Sequence, residues 1–131
     1  MILETKSLTK KFAHILAVDD LNLNLEAGSI TALLGGNGAG KTTTLSMLLG
    51  LLKPTSGSIH LFGHDFITDR FSVLGRMNFS SPYVDLPQRL TVSENLMVYA
   101  NLYGLRTPKE RVQEVAVEFR LQDLLDRKLR R

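Results

Sequence analysis

The chain has no cysteine and no tryptophan, and its longest nearly apolar run, Met47 to Leu52, is short. The absence of cysteine excludes disulfide bonds and cysteine-ligated metals, and it is typical of a reducing compartment. A membrane-spanning helix needs about 20 apolar residues, so this run cannot cross a bilayer. The N-terminal segment, Met1 to Lys6, is not a signal peptide. We therefore expect any link to a membrane to go through a partner.

Charge of neither sign dominates the chain. It has 16 basic and 13 acidic side chains, which gives a net charge of +3. Four basic residues near the end carry this excess: Arg127, Lys128, Arg130 and Arg131. Such a cluster can attract nucleic acid or an anionic surface, but a solvated end is the interpretation that we favour. No nucleic-acid partner is expected.

The strongest chemical signal is one stretch, Gly35-Gly36-Asn37-Gly38-Ala39-Gly40-Lys41-Thr42. It fits the phosphate-binding pattern G-x-x-x-x-G-K-[ST], the Walker A motif, at every fixed position. The apolar run Ile30–Leu34 before it predicts a buried strand. Leucines at helical spacing after it predict a helix that runs to about Leu52. The motif requires this order of strand, loop and helix, which disfavours a glycine-rich turn without a ligand.

The residue types in this loop suit a nucleotide. Glycines let several backbone N–H groups point inward, and the helix that begins near Lys41 adds its positive end. Lys41 can reach the β- and γ-phosphates and is the predicted catalytic residue. Thr42 offers its hydroxyl to Mg²⁺ and is the predicted metal ligand. The predicted nucleotide-binding residues of the loop are Gly35, Gly36, Asn37, Gly38, Ala39, Gly40, Lys41, Thr42 and Thr43.

We expect the first part of the chain to be rich in strands and the last part to be helical. Leu21, Leu23 and Leu25 alternate with asparagines, which predicts a strand with one wet face. The expected strands are residues 2–12, 13–25, 30–34, 58–62 and 77–80, with Gly63-His64-Asp65 ending the fourth and a weak helix at 66–74.

Two sequences near the end have the pattern of a helix-capping box. Thr91-Val92-Ser93-Glu94 opens a helix that Gly104 ends, and Thr107-Pro108-Lys109-Glu110 opens the next. A short third helical piece is expected within residues 121–129. We expect residues 1–80 to form a nucleotide-binding core and residues 81–131 a partial helical subdomain.

This order of segments resembles the N-terminal half of an ATP-binding cassette (ABC) ATPase. The loop has the sequence Asn-Gly-Ala-Gly-Lys-Thr-Thr, which is typical of this family. This sequence is far more specific than the general pattern of a phosphate-binding loop. Two further pieces fit the family, namely Gly50-Leu51-Leu52-Lys53-Pro54-Thr55-Ser56-Gly57 and Leu90-Thr91-Val92-Ser93-Glu94-Asn95-Leu96. The implied fold is α/β, of the P-loop NTPase type. It combines an antiparallel β part and a P-loop strand and helix with the start of a helical subdomain.

The resemblance, closest to exporter-type subunits, also implies a function. The complete protein would bind ATP with Mg²⁺ and hydrolyse it to power transport. Its partners would be a membrane-spanning subunit, met by residues 82–104, and a second ATP-binding subunit. It would lie in the cytoplasm, on the inner face of the cell membrane. Phe12 lies where the family stacks adenine on an aromatic ring, and a core phenylalanine is the alternative.

Several features depart from the family pattern. Gly36 stands where proline is more usual, and Pro82 stands where a glutamine touches Mg²⁺ and senses the membrane partner. The chain stops at Arg131, before the family's signature sequence and its water-polarising glutamate. We therefore expect a truncated cassette that is inactive alone.

Other classes of protein are weighed beside this one. The alternatives are an ABC-type ATPase acting on nucleic acid or ribosomes, and a degenerate regulatory module that binds nucleotide. The guanine-reading sequence Asn-Lys-x-Asp is absent, which argues against a GTP-binding switch. The three histidines, His14, His60 and His64, are interpreted as structural or solvated.

Overall fold

The computed structural model describes residues 1–81 and 85–129, and the chain divides into two compact units, Met1–Phe79 and Ser80–Arg131. The expected glutamine position, Pro82, lies outside the described residues, as do Arg130 and Arg131 of the basic end. Within the described part, no helix has both the length and the apolar character needed to cross a membrane.

The first unit is built on a four-stranded antiparallel sheet, in the order β2-β1-β3-β4. Its strands are β1 (Leu3–Phe12), β2 (Ile15–Leu25), β3 (Ser56–Leu61) and β4 (His64–Asp65). The first two strands form a hairpin in which Phe12 pairs with Ile15. The predicted wet face of β2 is confirmed, because its asparagines are exposed and the alternating leucines are half-buried.

Two short helices complete the first unit, α1 (Lys41–Leu48) and α2 (Phe71–Leu74). The prediction that α1 runs to about Leu52 is wrong. The amide of Gly50 bonds the Met47 carbonyl at 3.1 Å and the amide of Leu51 bonds the Ser46 carbonyl at 2.9 Å, which turns the chain out of the helix. On its buried face α1 carries Thr44, Met47 and Leu48, the last two of which belong to the hydrophobic core.

The predicted helix over residues 66–74 also forms only in part. The carboxylate of Asp65 accepts the amides of Ile67 at 2.9 Å and Thr68 at 3.0 Å. These bonds hold a turn that competes with a helix. The amide of Thr68, followed by that of Ile67, lowers the pKa of the Asp65 carboxyl. The sequence analysis also missed that His64–Asp65 pairs back onto β3 as a fourth strand.

The strands expected at residues 30–34 and 77–80 are not formed in this structure. Ile30 is 102% exposed and Leu34 is 86% exposed, so the apolar run before the glycine loop is not buried. A strand exists only where a neighbouring strand bonds its amides and carbonyls, and the described residues place no strand beside this run. The apolar pattern alone cannot show whether such a neighbouring strand is present.

The second unit contains α3 (Val92–Leu102), α4 (Pro108–Glu118) and a 3₁₀ turn at Gln122–Leu124. The helices pack on each other, and the buried side chains are Asn95, Ala100, Val112 and Ala116. The end of α3 at Gly104 is confirmed, since Gly104 has φ 64° and its amide bonds the Asn101 carbonyl at 3.0 Å.

Of the two predicted capping boxes, only the first forms. The Glu94 amide bonds the Thr91 hydroxyl at 3.1 Å, and the Thr91 amide bonds the Glu94 carboxylate at 2.7 Å. Thr107 makes no side-chain cap bond. Its ψ of 67° lies outside the extended range of a capping residue, whereas Thr91 has ψ 168°.

This difference allows a matched test of helix capping. Thr91→Ala should lower the free energy of unfolding by about 1 kcal/mol, since it removes the acceptor for the Glu94 amide. Thr107→Ala should have a much smaller effect, because that hydroxyl caps nothing. Urea denaturation followed by far-UV circular dichroism measures both variants, and equal losses would contradict the assignment.

Candidate functional site

The glycine loop leads directly into the N-terminus of α1. Gly40 is the residue that precedes the helix, with φ 80° and ψ 5°, and its carbonyl accepts the first helical bond from the Thr44 amide at 2.8 Å. Within the loop, the Ala39 amide bonds the Gly36 carbonyl at 3.3 Å. The predicted order of loop and helix is therefore present, although the strand before it is not.

The N-terminus of α1 is uncapped, and α3 provides the contrast. Every N-terminal amide of α3 has an acceptor. Beyond the capping box, the Val92 amide bonds the Arg127 carbonyl at 3.0 Å and the Ser93 amide bonds the Leu125 carbonyl at 2.9 Å. In α1 no side chain caps the helix and its first turn has no acidic residue.

The free amides of α1 define an anion-binding geometry. Within the described part of the chain, the amides of Lys41, Thr42 and Thr43 have no hydrogen-bond acceptor. These N–H groups add to the positive end of the helix dipole, and together they attract a phosphate or another anion.

Lys41 adds a mobile positive charge to this geometry. Its Nζ donates to the carbonyl oxygens of Gly35 and Gly36, each at 2.6 Å. The side chain therefore folds back over the start of the loop instead of extending into solvent. Each of these bonds can be exchanged for one to a more negative oxygen, which an ammonium group binds more strongly than a carbonyl.

Strand β2 supports the loop from one side. A Cβ atom at Gly40 would clash with the carbonyl oxygen of Ala17 and would lie 3.2 Å from Cγ2 of Val18. Only glycine adopts this backbone conformation and this close approach without strain. The sequence analysis missed Ala17 and Val18, because no motif links them to a loop more than twenty residues later.

The same strand brings Phe12 to the neighbourhood of the loop. Phe12 pairs with Ile15 at the end of the hairpin, and Ile15 is two residues before Ala17 on β2. At about 3.4 Å per residue, this is about 7 Å along the strand. Phe12 is 44% exposed as a residue and does not belong to the core of the first unit. Its stacking role stays a prediction.

The other predicted site residues lie on the same loop and first helical turn. Thr42 is exposed and Thr43 is half-buried at the start of α1, while Asn37 and Gly38 are exposed in the loop. Over residues 1–81 and 85–129, no cluster of three or more histidine or acidic side chains could hold a metal. The role of the Thr42 hydroxyl as a magnesium ligand stays a prediction.

The histidines lie elsewhere and do not join this loop. His64 Nδ1 lies 2.8 Å from the Asp69 carboxylate, and His60 lies within β3. The Ser72 hydroxyl, followed by His64, lowers the pKa of Asp69. The interpretation of the histidines as structural or solvated stays a prediction.

Comparisons with known proteins identify the family to which this chain belongs. The family model described as ABC transporter matches residues 18–131, which include the glycine loop and α1. The chain therefore belongs to the ABC transporter family, as the sequence resemblance predicted. The predicted fold class, α/β of the P-loop NTPase type, is likewise confirmed by the solved structures described below, although the strand before the loop is not formed.

Two curated relatives and a solved structure show the extent of the similarity. The chain is 42% identical over 114 residues to the bacitracin transport ATP-binding protein BcrA of Bacillus licheniformis, covering 87% of this chain and 37% of the relative. It is 38% identical over 130 residues to the daunorubicin/doxorubicin resistance ATP-binding protein DrrA of Streptomyces peucetius, covering 98% and 39%. A structure of an ATP-binding subunit of an ABC transporter has a TM-score of 0.82 at 28% identity, covering 98% of this chain and 54% of that one.

The chain thus spans about two fifths of the length of these curated relatives. A second solved structure, a dimeric ATP-binding cassette bound to ADP and Pi, has a TM-score of 0.73 and covers 97% of this chain and 61% of that one. At 22% identity, it supports the fold alone.

The support of the loop by β2 can be tested with two glycine substitutions. Gly40→Ala should lower the free energy of unfolding by more than about 1–2 kcal/mol, the cost of a left-handed backbone, because of its added clash with Ala17. Gly36→Ala is the matched control, since its Cβ meets nothing within 4 Å and its φ is not positive. Urea denaturation compares them, and an unaffected Gly40→Ala would contradict the contact.

Proposed function

We propose that the loop at residues 35–43 binds ATP with Mg²⁺, and that the complete protein hydrolyses ATP to power transport across a membrane. The observation that carries this proposal is the uncapped N-terminus of α1, which follows a glycine loop and has Lys41 folded over it. A nucleotide triphosphate is the ligand that matches clustered amides, a helix N-terminus and a lysine.

Each residue of the site has a distinct role in this proposal. Lys41 exchanges its bonds to the loop carbonyls for bonds to the β- and γ-phosphates, and the amides of the loop and first helical turn surround the phosphates. Thr42 supplies a hydroxyl to Mg²⁺, which neutralises phosphate charge when bound. Phe12 stacks on adenine. The proposed nucleotide-binding residues are Phe12, Gly35, Gly36, Asn37, Gly38, Ala39, Gly40, Lys41, Thr42 and Thr43.

The comparisons support the coarser part of this proposal, ATP-driven transport by a member of the ABC transporter family. We further propose an exporter-type protein on the cytoplasmic face of the cell membrane. Its partners are a membrane-spanning subunit, which meets residues 82–104, and a second ATP-binding subunit. Residues 82–84 of that surface lie outside the described part of the chain.

Removing the charge of Lys41 should weaken the binding of ATP much more than the binding of AMP. Lys41→Ala should weaken ATP binding about tenfold to 150-fold, because a hydrogen bond to a charged group contributes about 1.5–3 kcal/mol. AMP binding should change little, since AMP lacks the phosphates that Lys41 contacts. Isothermal titration calorimetry measures both ligands, and Lys109→Ala on α4 is the control. Equal losses for ATP and AMP would contradict the proposed role.

Removing the ring of Phe12 should weaken the binding of every adenine nucleotide. Stacking of a base on an aromatic ring contributes about 1–3 kcal/mol, so Phe12→Ala should lose about fivefold to 150-fold in ATP affinity. Phe12→Tyr retains the ring and should bind ATP nearly as well as the wild type. The same calorimetric titration applies, with inorganic tripolyphosphate as a ligand without a base. Normal ATP binding by Phe12→Ala would refute the stacking role.

A further inference from the structure

We infer that Lys10 is a positioning residue of the nucleotide site, because its amine occupies one face of Phe12 and leaves the other face to the base. This inference rests on the proposed function, in which Phe12 stacks on adenine. Lys10 Nζ lies 5.0 Å from the centroid of the Phe12 ring. A cation at this distance over a ring is attracted to its negative face.

The amine of Lys10 is also fixed by a hydrogen bond. It donates to the carbonyl oxygen of Lys53 at 2.8 Å. A lysine on a surface is normally mobile about its four-carbon stem, so a second contact is needed to hold the amine over the ring. The Phe12 ring and the Lys53 carbonyl together hold the charged amine of Lys10 in one place.

The backbone near Lys10 is held to the same segment. The Lys11 amide bonds the Thr55 hydroxyl at 3.0 Å, and the Thr55 amide bonds the Thr9 carbonyl at 2.9 Å. Residues 53–55 follow α1, whose other end carries the glycine loop. The end of β1 that bears Phe12 is therefore connected to the element that bears the phosphate site.

This arrangement has two consequences for binding. A ring held from one side loses less freedom when a base stacks on it, which favours affinity. A base can stack only on the face that Lys10 does not occupy, which selects one orientation of the nucleotide. Lys11 makes no ring contact within the described part of the chain, so it serves as a neighbouring lysine of the same charge.

The test compares ligands with and without a base. Lys10→Met removes the charge and the donor but retains a long side chain. It should weaken MgATP binding about threefold to tenfold and leave magnesium tripolyphosphate binding unchanged. Lys11→Met should leave both unchanged, and Lys10→Arg, which retains a cation and donors, should bind ATP within about twofold of the wild type. Calorimetric titration measures each pair.

A double-mutant cycle shows whether Lys10 acts through the ring. In a Phe12→Ala background, Lys10→Met should cause no further loss of ATP affinity. The inference is overturned if Lys10→Met weakens the binding of tripolyphosphate as much as the binding of ATP, because Lys10 would then act on the phosphates as a nonspecific positive charge. It is also overturned if Lys11→Met weakens ATP binding as much as Lys10→Met does. Unchanged ATP binding by Lys10→Met also overturns it.

The failure of this inference is distinguishable from failure of the proposed function. A wild-type chain that binds neither ATP nor tripolyphosphate refutes the proposed function itself. Thermal unfolding of each variant checks the fold. Should Lys10→Met lower Tm, Lys10→Gln provides the same comparison, since it removes the charge but retains a donor for the Lys53 carbonyl. In that variant, ATP affinity should fall while tripolyphosphate affinity stays the same, and equal changes would overturn the inference.

Discussion

The close approach of Gly40 to the carbonyl of Ala17 is the contact on which the candidate site depends. It fixes the point where α1 begins, and it leaves no room for any side chain at that position. The buried side chains of Met47 and Leu48 hold α1 in the core of the first unit. The loop is therefore positioned by the antiparallel sheet and its core, even though no strand among the described residues pairs with the run before the loop.

The N-termini of α3 and α1 differ in whether their backbone amides have hydrogen-bond acceptors. The N-terminus of α3 has an acceptor for each amide, and Glu94 adds a favourable charge to its first turn. That end is complete and has no capacity left for a ligand. The N-terminus of α1 has neither a cap nor an acidic residue, and its positive potential is left for an anion. The start of α4 also lacks a side-chain cap, but its first turn carries Glu110. The N-terminus of α1 is distinguished by free amides, the absence of an acidic residue and Lys41 folded over the preceding glycine loop.

Much of the site could be predicted from sequence, because its chemistry lies in contiguous residues. The loop from Gly35 to Thr43, Lys41 at its end and the helix after it follow from local spacing. The fold was predicted well where the pattern is local, as for β1, β2 and the Thr91 capping box. It was predicted poorly where a distant partner decides, as for residues 30–34, or where a local side chain competes, as for Asp65 and the weak helix.

The sequence by itself determined the glycine loop with the helix after it, the family and the hairpin strands, since each depends on residues that are neighbours in the chain. Only the tertiary structure decided that Ala17 supports Gly40, that Lys10 lies over Phe12, and that Thr91 caps its helix while Thr107 does not. These outcomes depend on backbone angles and on contacts between residues far apart in sequence. Their free energies arise only when the chain has folded, so no local pattern contains them.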